Sequence, residues 1–124
     1  MKKSVLVVDD EPFVLYSVKR ILEDAGITVI QANSGQECLN ILRKGFNGLI
    51  LMDIAMPEMD GWDTIQKIVD ERLDEGNILC MLTGKEIPDQ KMEKLKEHVL
   101  DYLTKPFDNK KFVGVVSDYL KFLT

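Results

Sequence analysis

Short apolar segments alternate with amphipathic segments along the whole chain. The amphipathic segments place apolar residues three or four positions apart, which is the spacing of one helical face. This alternation with short connections predicts an α/β fold of the (βα)5 type, a doubly wound parallel five-stranded sheet with helices on both faces. The predicted strands cover residues 5–8, 27–32, 49–52, 78–82 and 99–104.

Glycines, capping residues and a proline mark the predicted helix ends. Gly26 suits the end of the first helix, and Ser34 with Glu37 forms a capping-box pattern at the start of the second. Pro88 suits the first turn of the fourth helix, and Asp108 caps the fifth. The fourth helix carries the weakest apolar stripe, so we expect it to be the most loosely attached to the sheet.

The length and composition are those of one globular domain, which we expect to cover residues 1–124. Hydrophobic residues make up 45% and charged residues 30%, which argues against disorder. The net charge of -5 argues against nucleic acid as a direct partner, because a duplex binder needs clustered cations.

The cysteines and the N-terminal segment bear on the location of the protein. Cys38 and Cys80 are too few and too far apart for a disulfide framework or a metal knuckle. The first apolar segment is too short for a secretory signal, and no apolar segment reaches transmembrane length. We therefore expect a cytoplasmic protein without membrane insertion.

Polar residues stand where four of the predicted strands end: Asp9 with Asp10, Asp53, Thr83 and Lys105. The carboxyl ends of parallel strands share one edge of the sheet, and open α/β sheets bind their ligands at that edge. We therefore expect three acids, a hydroxyl and an amine to meet in one small site.

These residue types suit a Mg²⁺-dependent phosphoryl acceptor. Asp9, Asp10 and Asp53 offer the carboxylate oxygens that Mg²⁺ prefers, and without a cation they would repel one another. Asp53 is the candidate nucleophile, since a carboxylate can form an acyl phosphate. The amine of Lys105 could offset the phosphoryl charge, and the hydroxyl of Thr83 could turn toward a phosphoryl oxygen. Taken alone, Asp9 and Asp10 fit a helix cap equally well.

The same residues carry a family resemblance. The chain resembles the receiver domains of two-component response regulators over essentially its whole length. The resemblance implies a flavodoxin-like fold with strand order 2-1-3-4-5, and a stand-alone chemotaxis type of receiver. It rests on four pieces, Val-Val-Asp-Asp-Glu at 7–11, Met-Asp-Ile-Ala-Met-Pro-Glu-Met-Asp-Gly at 52–61, Leu-Thr-Gly at 82–84 and Lys-Pro-Phe at 105–107.

The resemblance implies roles for the acids. Asp53 would accept a phosphoryl group from a histidine kinase, from a phosphotransfer protein, or from a small donor such as acetyl phosphate. Asp10 would bind Mg²⁺ directly and Asp9 mainly through water, while the backbone carbonyl of Ala55 would complete the protein ligands. Beyond its own phosphorylation and dephosphorylation, the protein would not act as an enzyme.

The resemblance also implies a switch. Thr83 would move to bond the phosphoryl group, Lys105 would pair with that group, and the ring of Tyr102 would turn inward. The Lys105–Pro106 peptide bond would be cis. The signal would then reach a downstream protein through the face of the fourth helix, fifth strand and fifth helix.

Other classes fit the residues less well. A haloacid-dehalogenase type of aspartyl-phosphate phosphatase needs an acid two residues after the nucleophile, where this chain has Ala55. A flavodoxin-like electron carrier needs a loop rich in Ser, Thr and Gly after the first strand, where Asp9 and Asp10 would repel FMN phosphate. A receiver fragment of a larger response regulator or hybrid kinase stays open beside the single-domain regulator.

Overall fold

A computed structural model of the chain describes residues 4–84 and 90–123. Within these ranges a five-stranded sheet is flanked by five α-helices. The strands are β1 Ser4–Val8, β2 Val29–Ala32, β3 Gly48–Asp53, β4 Ile78–Thr83 and β5 Asp101–Thr104. The helices are α1 Pro12–Asp24, α2 Gly35–Arg43, α3 Gly61–Asp70, α4 Gln90–Leu95 and α5 Asn109–Lys121, and a 3-10 turn, Lys96–His98, follows α4.

The strands lie in the order β2-β1-β3-β4-β5 and every neighbouring pair is parallel, which confirms the predicted fold. The chain moves from β1 to one edge of the sheet and then returns past β1 to build the other half. Such a reversal opens a crevice at the carboxyl ends of the two central strands. Val8 pairs with Met52, so the residues that follow them, Asp9 and Asp53, reach the crevice at the same level.

Apolar side chains fill both sides of the sheet. Alternate residues of β1, β3 and β4 belong to two buried clusters, one packed against α2, α3 and α4, and the other against α1 and α5. Strands buried on both faces must be apolar at nearly every position, which explains the continuous runs in the sequence. The ends of these strands are therefore firmly placed.

Two helices, α2 and α3, begin with side-chain caps. Ser34 Oγ accepts a hydrogen bond from the Glu37 amide at 3.1 Å, as predicted, but the Glu37 carboxylate accepts from Asn33, also at 3.1 Å. A complete capping box, not predicted from the sequence, starts α3. The Asp60 carboxylate accepts from the Asp63 amide at 2.8 Å, and the Asp63 carboxylate accepts from the Asp60 amide at 3.2 Å.

Two strands begin two residues later than predicted. Ile27 and Val99 instead close the preceding helical turns, because their amides donate to the carbonyl oxygens of Leu22 and Lys96, at 3.0 and 3.2 Å. Pro88, the predicted first-turn residue of α4, lies outside the described residues. Over 4–84 and 90–123, no helix is long and apolar enough to cross a bilayer.

Candidate functional site

Three carboxylates meet at the crevice between β1 and β3. Asp9 and Asp10 directly follow β1, and Asp53 is the last residue of β3. Each of the three offers a carboxylate oxygen within 4.8 Å of the others. Asp9 is 0% exposed and Asp53 3% exposed, whereas Asp10 faces solvent. The fold therefore brings together the acids that the sequence predicted, two of them buried and one accessible.

The amine of Lys105 lies among these acids. Its Nζ is 3.0 Å from Asp9 Oδ2 and 3.1 Å from Asp53 Oδ1, so one cation bridges the two buried carboxylates. Its backbone amide donates to the Thr83 carbonyl at 2.7 Å, which ties the residue to the end of β4. The peptide bond from Lys105 to Pro106 is cis, as predicted.

Burial and neighbouring charges set the ionisation of the site. Burial, together with the charges of Asp9 and Asp10, raises the pKa of Asp53 from 3.8 to about 6, although Lys105 opposes the rise. Burial lowers the pKa of Lys105, but its hydrogen bond to Asp9 and the charge of Asp53 outweigh this and raise the pKa overall. At neutral pH both the carboxylate and the ammonium are charged.

The donor set fits a small divalent cation. Three carboxylates supply hard oxygen ligands within a short span, which suits an ion that prefers oxygen. Both oxygens of Asp9 already accept hydrogen bonds, Oδ1 from the Glu11 amide at 3.0 Å and Oδ2 from Lys105. Asp10 is exposed and Asp53 accepts from Lys105 through Oδ1. Asp10 and Asp53 are therefore the acids better placed to give an oxygen directly to an ion.

Gly61 is a site residue that sequence reasoning missed. A Cβ at this position would lie 2.3 Å from the Asp53 carbonyl oxygen, so any larger residue would displace the backbone of Asp53. The Gly61 amide also donates to the Ile54 carbonyl at 2.9 Å. The start of α3 therefore packs directly against the end of β3. The Asp-Gly pair in the sequence signalled a turn but not this contact.

Thr83 and Tyr102 lie on the two strands beside the acids. Thr83 is the last residue of β4 and half-buried. Tyr102 is half-buried on β5, and its ring centroid lies 6.4 Å from that of Trp62, which is 3% exposed. Within the described part of the chain, the buried Tyr102 hydroxyl has no hydrogen-bond partner. Ala55 lies exposed after β3, and the role of its carbonyl stays a prediction.

The sequence of the chain matches a known protein family. Residues 5–117 match the family model of the Response regulator receiver domain. The chain belongs to this family. The receiver domain is 48% identical to a CheY-like receiver domain protein from Methanospirillum hungatei JF-1, with a TM-score of 0.93 over 99% of this chain and 98% of that one.

Two named relatives have different lengths. The receiver domain is 32% identical to the chemotaxis protein CheY of Halobacterium salinarum over 121 residues, which cover 97% of this chain and 98% of CheY. It is 34% identical over 115 residues to the sensor protein GacS of Pseudomonas syringae pv. syringae, which cover 90% of this chain and only 13% of GacS. It spans about half the length of three further curated relatives.

These findings confirm the predicted family and the flavodoxin-like fold. The protein is a receiver domain of the two-component signalling type, homologous to CheY and to response regulators. Receiver domains interact with histidine kinases and with downstream targets. The matched family and the relatives named above do not favour the phosphatase or the electron carrier.

Proposed function

We propose that this receiver domain is a phosphorylation-activated switch that accepts a phosphoryl group on Asp53 from a histidine kinase or a phosphotransfer protein. One observation carries the proposal: the buried Asp53 carboxylate lies 3.1 Å from the Lys105 amine, in a cluster of three acids at the sheet crevice. This arrangement suits a phosphoryl acceptor, because the side chain gains the negative charge of the phosphoryl group and the nearby ammonium can balance that charge.

The reaction needs no general acid or base from the chain. An oxygen of the ionised Asp53 attacks phosphorus, an acyl phosphate bond forms, and the bond to the donor nitrogen or oxygen breaks. The leaving group, a histidine imidazole or acetate, keeps the electron pair. The ammonium of Lys105, which donates to Asp53 Oδ1 at 3.1 Å, would pair with a phosphoryl oxygen as negative charge gathers there. With no general acid or base required of the chain, positioning and charge supply the catalysis.

The cation of this site is proposed to be Mg²⁺, held by Asp10, Asp53 and the Ala55 carbonyl, with Asp9 acting through water. When bound, Mg²⁺ would neutralise charge on the transferring group and on the acids. The two protein hydrogen bonds to the Asp9 oxygens favour the indirect role for Asp9. The exposure of Asp10 favours the direct role for this residue.

The response is proposed to run through Thr83 and Tyr102. Thr83 would move toward the phosphoryl group, and the ring of Tyr102 would settle inward. Among the described residues the buried Tyr102 hydroxyl has no hydrogen-bond partner, and burying an unpaired hydroxyl costs about 1–3 kcal/mol. This cost supports a second packing of similar free energy. Phosphorylation would then shift the balance between packings that already exist.

The output is proposed to be a protein contact made by the face of α4, β5 and α5. The net charge of -5 supports a protein target over direct binding of nucleic acid. We further propose a cytoplasmic location and no catalytic activity beyond self-phosphorylation and dephosphorylation. The kinase that supplies the phosphoryl group would have to be in the same compartment as the receiver domain.

The test is the intact mass after incubation with acetyl phosphate and Mg²⁺. Wild type is expected to gain one phosphoryl group, and Asp53→Asn and a Mg²⁺-free sample are expected to gain none. Asp70→Asn, an exposed acid of α3, serves as the matched acid-to-amide control and is expected to behave as wild type. A gain that persists in Asp53→Asn, or that ignores Mg²⁺, would contradict the proposal.

A further inference from the structure

Asp101 joins the strand that carries Tyr102 to the last helix. It is the first residue of β5 and half-buried. One oxygen, Oδ2, accepts a hydrogen bond from the Tyr119 hydroxyl of α5. The other, Oδ1, accepts from the backbone amide of Tyr102 at 2.8 Å. A single carboxylate therefore holds the Tyr102 backbone and the side chain of α5 together.

The buried apolar residues of α5 contact the sheet in a different way. Phe112 and Val116 are the buried residues of this helix, and Tyr119 follows Val116 by three positions on the same face. Apolar burial is non-directional, so it constrains a small slide or tilt of α5 less specifically than a directional contact does. A charge-assisted hydrogen bond is directional and short, so it does fix one.

The hydroxyl of Tyr119 keeps its proton in this position. The hydrogen bond to Asp101 and burial raise the pKa of Tyr119 to about 12, so the hydroxyl donates throughout the physiological pH range. Tyr119 is also partly buried against the apolar cluster on the α5 side of the sheet. The ring packs in this cluster, and the hydroxyl adds a directional hydrogen bond to β5.

We propose that Asp101 and Tyr119 are positioning residues that transmit a displacement of β5 at Tyr102 to α5. The proposal rests on the switch described under the proposed function and deepens it, since it names the contact that carries the change from the strand to the helix. If the backbone of β5 shifts at Tyr102 when Thr83 moves, the Tyr102 amide displaces the Asp101 carboxylate through their hydrogen bond. The carboxylate in turn displaces the Tyr119 hydroxyl. A merely structural link would hold α5 in place without responding to the site.

The experiment compares wild type with Tyr119→Phe, which keeps the ring and removes the hydroxyl. Asp101→Asn is the second variant, because it keeps the size of the side chain but leaves one acceptor oxygen for the two donors, the Tyr102 amide and the Tyr119 hydroxyl. Asp118→Asn removes an exposed carboxylate of α5 next to Tyr119 and is the matched control. The readouts are phosphoryl gain by intact mass, Trp62 fluorescence, and amide hydrogen exchange across β5 and α5 with and without beryllofluoride.

In wild type and in Asp118→Asn, beryllofluoride is expected to change hydrogen exchange in both β5 and α5. In Tyr119→Phe and Asp101→Asn, phosphoryl gain, the Trp62 response and the change in β5 are expected to remain, while the change in α5 is lost. An α5 change that survives in Tyr119→Phe would overturn the proposed transmission through Asp101 and Tyr119, and so would the absence of this change in wild type. Failure of the proposed function is distinct, since wild type would then show no phosphoryl gain at all.

Discussion

Asp53 is expected to destabilise the folded protein at neutral pH when no cation is bound. The folded state raises the pKa of this carboxyl from 3.8 to about 6, chiefly by burial and by the neighbouring acids. The folded state therefore binds the proton more tightly than the unfolded state does. This contribution to stability is complete below about pH 4 and is lost as pH rises through about 6.

The size of the effect follows from the shift. Each pKa unit corresponds to about 1.4 kcal/mol, so the ionised carboxylate costs about 3 kcal/mol at about pH 7.5 and about 1 kcal/mol at about pH 4.5. Asparagine has the same shape and no charge, and its carbonyl can still accept from Lys105. We therefore expect Asp53→Asn to raise the free energy of unfolding by about 1–3 kcal/mol at about pH 7.5 and by less at about pH 4.5.

Urea unfolding in EDTA measures this difference, with equal m-values required between the variants. Asp70→Asn, an exposed acid of α3, is the control and is expected to change stability by less than about 0.5 kcal/mol. If Asp53→Asn were no more stable than wild type at about pH 7.5, the free-energy cost assigned to the ionised Asp53 carboxylate would be wrong. A gain that did not shrink at about pH 4.5 would show that its origin is not this charge.

Three further substitutions test other parts of the site. Lys105→Met removes the cation 3.1 Å from Asp53, so the pKa of Asp53 without Mg²⁺ should rise further, seen in urea unfolding in EDTA as a loss of stability that extends to higher pH; an unchanged pH profile of stability would contradict this pairing. Gly61→Ala should lower both stability and phosphorylation, because its Cβ would meet the Asp53 carbonyl oxygen at 2.3 Å; wild-type values would contradict that packing. Asp10→Asn should weaken Mg²⁺ binding, measured by Trp62 fluorescence, while unfolding without Mg²⁺ stays near wild type.

Much of the fold and site was predictable because it depends on local rules. Buried parallel strands have to be apolar along their length, so a polar residue at the end of each was visible in the sequence. The common edge of a parallel sheet then placed Asp9, Asp53 and Lys105 together, as the structure confirms. The roles of Thr83 and Tyr102 came from the family resemblance and stay predictions.

The contacts that could not be predicted from the sequence depend on how the helices pack against the sheet. Trp62 meets Tyr102, and Asp101 meets Tyr119, across long stretches of chain, and no periodicity encodes which side chains come opposite each other. The close approach of Gly61 to Asp53 has the same origin. Strand starts were also missed where a helical turn used the amides of apolar residues, since a run of apolar residues fits either structure.

Mapping the phosphoryl group tests the central claim most directly. Acetyl phosphate and Mg²⁺ would be added, the acyl phosphate reduced with borohydride, and the peptides analysed by mass spectrometry. The account predicts that position 53 is converted to homoserine, and that no conversion occurs without acetyl phosphate or without Mg²⁺. Conversion at Asp9 or Asp10 in place of Asp53, or no conversion at any acid, would contradict it.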